Sequence, residues 1–285
     1  MPVQPQTIQI FLPDGNPRGV RIAEITNRTV KAILFPRNQF DYILQRNELE
    51  NVGFYFLFGE TEGGKPMVYI GEAEDCKVRL SEHQRKKDFW NYAAVIISKT
   101  HAFTKTHVKF LEHTAITKAK EINRYVLDNS SASNRPYVTE SMEADMLDCF
   151  DTAKVLLSTL GFPLFESISR ETVSTTVSDI FKLKGNGVFA EGNLTDEGFV
   201  VFKNSEAKIN TAPSCHNFLI DMRERLLEEG ILIQTGETYK FTHDYVFSSP
   251  STAAGVVLGR SANGWNKWKN YENKTLDKVK RNVNE

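Results

Sequence analysis

Net charge is almost missing from this chain: 35 lysines and arginines stand against 36 acidic residues, for a net charge of −1. Any affinity for a polyanion must therefore come from a local patch, because the field of the whole molecule is weak. Cysteine is scarce. Cys76, Cys149 and Cys215 are scattered and form no CxxC pair, which argues against a disulfide framework or a zinc site and fits a reducing compartment. The chain has no apolar run of about 18 residues, and its first residues lack a basic-then-apolar leader pattern, so the expectation is a soluble, cytoplasmic protein with no membrane partner. His101, His107 and His113 make no metal-ligand spacing, since the last two are more than one helical turn apart.

What is present suits two or three compact domains. The chain has 285 residues, 40% of them hydrophobic, enough for ordinary cores. Residues 1–50 read as a small β-rich accessory module, with strands near 7–12, 19–25 and 29–35, turn chemistry at 13–19 and a short helix at 39–46. Residues 51–165 form the central domain and its trailing helix. Residues 166–180 are rich in serine and threonine and read as a linker. Residues 181–285 read as a separate C-terminal α+β domain. The expected class is α+β throughout.

The central domain opens on Gly53-Phe54-Tyr55-Phe56-Leu57-Phe58, whose phenylalanines share one face and whose Tyr55 and Leu57 share the other. A polar loop leads to Met67-Val68-Tyr69-Ile70-Gly71, the return strand of an antiparallel hairpin. Asp75 can cap a helix running to about Lys87, with Cys76 and Leu80 toward the sheet and Arg79 and His83 on the next stripe. Residues 90–98 are a third strand. Glu112 follows on a helix that starts at Thr104 or Thr106, at the edge of a stripe of Val108, Leu111, Ala115 and Ile122. Residues 141–160 are a further amphipathic helix.

These residue types match what phosphodiester cleavage requires: a water, a base to deprotonate it, and positive charge for the pentavalent phosphorus and the leaving oxygen. Mg²⁺ keeps several waters and needs few protein ligands, so the single carboxylate of Glu112 suffices. Arg79 offers a planar donor set matched to phosphate, and His83 can hold a water or relay a proton. A tyrosine phenol titrates near 10, so Tyr55 or Tyr69 serves as a base only where nearby positive charge favours the anion.

The stretch from Gly53 to about Asn134 resembles the GIY-YIG nuclease superfamily. The resemblance implies a three-stranded antiparallel sheet flanked by helices, one divalent metal (Mg²⁺, with Mn²⁺ able to substitute), and an endonuclease acting on DNA. It implies Tyr55 as general base or water-orienting group, Tyr69 as its hydrogen-bonding partner, Arg79 on the phosphate, His83 one turn on, and Glu112 as metal ligand. Where some members carry a lysine after the second motif, this chain has Glu72. The family's terminal asparagine falls on Asn129, with Asn123 and Asn134 as alternatives. Phe54 in place of an aliphatic residue is harmless. One such site cuts one strand, so a double-strand break requires a homodimer or two encounters. The flanks, including Ser249 to Trp268, resemble bacterial proteins of the same superfamily that carry a C-terminal domain of unknown function. Trp265 and Trp268 are read either as base-stacking residues or as core. The rival readings are a non-catalytic DNA-binding protein that keeps the fold, and a nuclease directed at RNA.

Overall fold

Phe54 to Phe58 is an unbroken hydrophobic run, and such a run is stable as a strand only when both of its faces are covered. In the computed structural model, which describes residues 5–129, 134–166, 180–185, 187–213 and 215–281, it lies inside a seven-stranded sheet. The chain divides into two compact units, 1–166 and 167–285. The secondary structure is mixed α and β in both.

The first unit contains β1 (Ile8–Phe11), β2 (Arg21–Ile25), β3 (Val30–Pro36), the short helix α1 (Phe40–Ile43), β4 (Gly53–Glu60), β5 (Pro66–Ala73), α2 (Cys76–Lys86), β6 (Trp90–Ser98), α3 (Lys105–Ile122), β7 (Val126–Leu127) and α4 (Glu140–Thr159). The strand order is β1-β2-β3-β6-β4-β5-β7. Every pairing is antiparallel except that of β5 with β7. Sequence patterning set residues 1–50 apart as a module of their own. Instead, β3 pairs with β6 along its whole length, from Val30↔Ser98 to Pro36↔Tyr92, so the N-terminal strands extend the central sheet. Local periodicity cannot announce that pairing, because the partners are more than fifty residues apart. The expected helix at 39–46 is a 3₁₀ turn (Arg37–Gln39) followed by α1.

The sheet separates two cores. On one face Phe54, Phe56, Phe58, Val68 and Ile70 pack with α3 and α4. On the other, Tyr55, Leu57, Val95 and Trp90 pack with Phe40 and Ile43 of α1 and with Cys76 and Leu80 of α2. Burial pushes the Cys76 thiol up to about 12, which marks it as packing and keeps it protonated. Helix α4 starts at the Thr139 cap and is followed by Gly161 at φ +98°, a conformation that favours glycine.

The second unit contains β8 (Phe181–Gly185), β9 (Val188–Thr195), β10 (Gly198–Val201), β11 (Glu206–Lys208), α5 (Asn217–Glu228), β12 (Leu232–Thr235), β13 (Thr238–Phe241), β14 (Tyr245–Phe247), α6 (Pro250–Leu258), α7 (Gly264–Lys267) and α8 (Leu276–Lys280). Its sheets run β14-β10-β9-β8 and β11-β13-β12. The small residues of α6 let it lie fully buried in the core beside Phe199, Phe241 and Trp268. Arg223 of α5 is buried as well, and donates to the carbonyls of Lys208, Ile209 and Val256. Residues 167–179, most of the expected linker, lie outside the described residues. Among the described residues no helix is long and apolar enough to cross a membrane.

Candidate active site

The β4–β5 register sets the site. Tyr55 is opposite Gly71, and Leu57 is opposite Tyr69, so both tyrosines project from the face that α2 covers. Asp75 caps α2 by accepting from the Val78 amide at 3.0 Å. The residues of α2 buried against the sheet are Cys76, Leu80 and His83, spaced i, i+4, i+7. His83 thus belongs to the core stripe, and Arg79 stands at its rim.

Four of the six expected site residues meet here. Tyr55 is fully buried, and its Oη is 2.7 Å from His83 Nε2. The Tyr69 and His83 rings are 4.9 Å apart, and those of Tyr55 and Tyr69 are 6.2 Å apart. Arg79 lies close enough to the Tyr55 phenol to favour its anion, and it is held by Glu82, one turn on, at 2.6 Å. Burial pushes the Tyr55 phenol well above its ordinary value, and Tyr69 adds to this, while Arg79 pulls the other way. Burial first, then the positive charges of Arg79 and Lys87, lower His83 to about 4. At neutral pH the imidazole is therefore uncharged and the phenol protonated, and a single neutral hydrogen bond joins Oη to Nε2.

Gly71 is part of this geometry. A Cβ there would lie 2.4 Å from Tyr55 Oη and 3.0 Å from Tyr69 Cε1. The motif glycine leaves room for the phenol to reach His83. Gly71→Ala is expected to break the Tyr55–His83 hydrogen bond and to destabilise the fold by about 1–3 kcal/mol. A crystal structure of the variant and its urea midpoint would check both, and an unmoved Tyr55 would count against the packing argument.

The other two residues stand apart from this cluster, Glu112 on α3 and Asn129 beside β5. Helix α3 packs on the sheet face opposite Tyr55. Its first residue, Lys105, pairs with Glu72 at 2.9 Å and Glu74 at 3.6 Å, and the chain returns so that Val126 lies beside Met67. Glu112 is seven residues into α3, about 10 Å along its axis. It is half-buried. Its helix lies across the sheet from Tyr55, so the carboxylate can share a substrate with the tyrosines only around the β5 edge.

Asn129 holds that edge. Its Oδ1 accepts from the Ile70 amide at 3.0 Å and its Nδ2 donates to the Ile70 carbonyl at 2.7 Å. Asn123 is the left-handed C-cap of α3, and Asn134 is exposed. Of the three, Asn129 is the one that grips a tyrosine strand, and it does so through the backbone. Asn129→Ala removes both hydrogen bonds and is expected to cost about 2 kcal/mol in urea unfolding; an unchanged midpoint would contradict the assignment.

Two contributors, Asp128 and Glu82, were not singled out in the sequence. Asp128 pairs with Lys87 at 2.5 Å, and Lys87, which extends the stripe of Arg79 and His83, stands with its Nζ 4.2 Å from the centre of the Tyr69 ring. A cation therefore sits beside the tyrosines although Glu72 occupies the position after the second motif. For Glu82, the i, i+3 spacing from Arg79 was the available signal. Among the described residues no three His, Cys, Asp or Glu side chains gather as a metal cage. In the second unit Trp268 is core: it is fully buried, packs on Phe199 at 4.4 Å and donates from Nε1 to the Pro250 carbonyl. Trp265 is half-buried beneath the Arg281 guanidinium, 3.5 Å from its ring centre.

Comparison with known proteins reaches the second unit. No curated protein and no solved structure matches the chain. Residues 181–280 match the model of a family described as a domain of unknown function, DUF4357, consistent with the separate C-terminal domain expected from the sequence.

Proposed function

We propose that this protein is a metal-dependent endonuclease of the GIY-YIG type that hydrolyses DNA phosphodiester bonds. In this reading β5, β4 and β6 are the three-stranded core of that fold, and the second unit contributes to DNA recognition. The observation that carries the proposal is the buried Tyr55–His83 hydrogen bond, flanked by Tyr69 and Arg79.

The chain's own groups suit the reaction. Tyr55 is not a ready-made phenolate, because burial keeps its proton on. It acts with His83: the phenol oxygen takes a proton from the attacking water while its own proton passes to Nε2. Burial first, then Arg79 and Lys87, hold His83 neutral and poor as a base in the free protein. An incoming phosphate offsets those two charges and raises its basicity when substrate is bound. Arg79 also binds a phosphate oxygen, displacing Glu82 in part. Asn129 acts as a positioning residue by fixing the β5 edge.

The donor set fits Mg²⁺, which takes one or two protein carboxylates and fills its shell with waters and phosphate oxygens. Glu112 would hold it, and Mn²⁺ can replace it. The bound ion supplies charge for the crowded phosphorus and acidity for the leaving 3′ oxygen.

A binding protein that kept the fold is the second reading, favoured by the placement of Glu112 on the helix across the sheet from Tyr55. Incubation of supercoiled plasmid, branched DNA and RNA with Mg²⁺ or Mn²⁺ separates the readings. Metal-dependent nicking that Glu112→Ala loses supports the nuclease. Tight binding with no cut on any substrate supports the binding protein. Cleavage of RNA alone reassigns the substrate. A double-strand cut whose rate rises with protein concentration indicates a homodimer.

A further inference from the structure

The tryptophans that the sequence offers for stacking on bases are inward or covered, but the second unit exposes other rings. Along β8, Phe181 and Leu183 point into the core, so Lys182 and Lys184 point out. On β9, Val188 and Ala190 point in, so Phe189 and Glu191 share the outer face, with Lys184 opposite Phe189 and Lys182 opposite Glu191. Lys269 joins β8 by a two-way backbone bridge to Lys182, which brings Tyr271 onto the same face. Phe189 and Tyr271 are 36% and 50% exposed, high for large rings on a sheet face. One ammonium links them: Lys182 Nζ lies 3.7 Å from the centre of the Tyr271 ring and 5.9 Å from that of Phe189, while Lys184 Nζ lies 5.6 Å from Phe189.

Charge is segregated in the same sense. Residues 180–185 and 260–281 carry nine lysines and arginines against two acidic residues, Glu272 and Asp277. Residues 187–259 carry five basic residues and ten acidic ones. The stretches that supply β8, Lys269 and Tyr271 are thus net basic, although the chain as a whole is nearly neutral. Exposed rings set among lysines on a sheet face suit a ligand with flat apolar faces strung on a polyanion.

We propose that the outer face of β8 and β9, with Tyr271, binds single-stranded nucleic acid. Bases stack on Phe189 and Tyr271, and Lys184 and Lys269 neutralise the intervening phosphates, joined by Lys182 once it leaves its 3.7 Å pair with Glu191. A duplex hides its base faces and leaves only the phosphate contacts. The choice of a nucleic acid rests on the nuclease reading above; the face and the strandedness rest on the geometry of this unit.

The test is fluorescence anisotropy of the full-length protein with a labelled oligothymidylate, an oligouridylate and a duplex, in metal-free buffer so that nothing is cut. The single strands are expected to bind more tightly than the duplex, and a preference between the first two tells DNA from RNA. The double variant Phe189→Ala, Tyr271→Ala should lose about tenfold or more in affinity, and Phe189→Trp should retain it. Lys184→Gln with Lys269→Gln should reduce the slope of log affinity against log salt by about 1.4. Unchanged binding in the aromatic double variant, with its thermal midpoint also unchanged, overturns the proposal, as does equal or tighter binding of duplex. Failure of the nuclease reading shows separately, as absence of cleavage when Mg²⁺ is restored to protein that still binds.

Discussion

Replacing Arg79 with alanine is expected to slow phosphodiester cleavage by about a thousandfold, with DNA affinity changed far less. Two effects combine. Arg79 is the cation beside the Tyr55 phenol, and it opposes the burial that holds the phenol proton in place. It is also the donor set suited to the charge that builds on phosphorus in the transition state. The alanine variant loses both: the relay from water through Tyr55 to His83 then runs with no cation to steady charge on the phenol oxygen, and the phosphorus loses its planar donor. Arg79→Lys keeps the charge but loses the planar fork, so the expected recovery is partial. Glu82→Gln frees the guanidinium from its 2.6 Å ion pair and should change the rate much less. Single-turnover rates paired with binding isotherms check this; a rate within tenfold of wild type in Arg79→Ala would contradict the role.

His83 should make the protein measurably less stable in mild acid. Its folded-state value is lowered to about 4 from an ordinary 6.5, by burial first and then by Arg79 and Lys87. Between those values the unfolded chain binds the proton and the folded chain does not. The contribution to stability is therefore fully present above 6.5, falls as the pH drops, and is lost by about pH 4, a change on the order of 3 kcal/mol. His83→Gln removes this group from the balance. Urea unfolding of both proteins from pH 4 to 7 should show a shallower acid loss in the variant, and parallel curves would contradict the buried neutral imidazole. The same neutrality predicts that the acid limb of kcat/KM lies well below pH 6.5.

The hairpin, helix α2 and its cap were legible because each is written locally. Alternation from Gly53 to Phe58 placed Tyr55 opposite the phenylalanines, and Asp75 fixed the start of α2. What local patterning could not supply is pairing at a distance. Nothing near residue 30 announces that β3 will lie against β6, so the N-terminal strands read as a separate module until the register is seen. The same limit applied to Glu112. Its place at the edge of an apolar stripe was apparent, but the sheet face that its helix covers depends on the connection after β6. Asn129 was picked out, beside Asn123 and Asn134, through the family resemblance, while its grip on the Ile70 backbone is a matter of tertiary contact. The tryptophans of the second unit misled in the opposite direction, because a residue that suits base stacking suits a core equally well, and Trp268 is fully buried.

The central claim is that Tyr55 and Glu112 serve one reaction although α3 lies across the sheet from the tyrosine. The most direct test is single-turnover cleavage of supercoiled plasmid with saturating Mg²⁺ by wild type, Tyr55→Phe and Glu112→Gln, each variant matched to wild type in fold and DNA affinity. The account predicts metal-dependent nicking by wild type and a loss of about a hundredfold or more in each variant. Nicking by Glu112→Gln at the wild-type rate, or a wild-type protein that binds plasmid and never cuts it, would contradict the account.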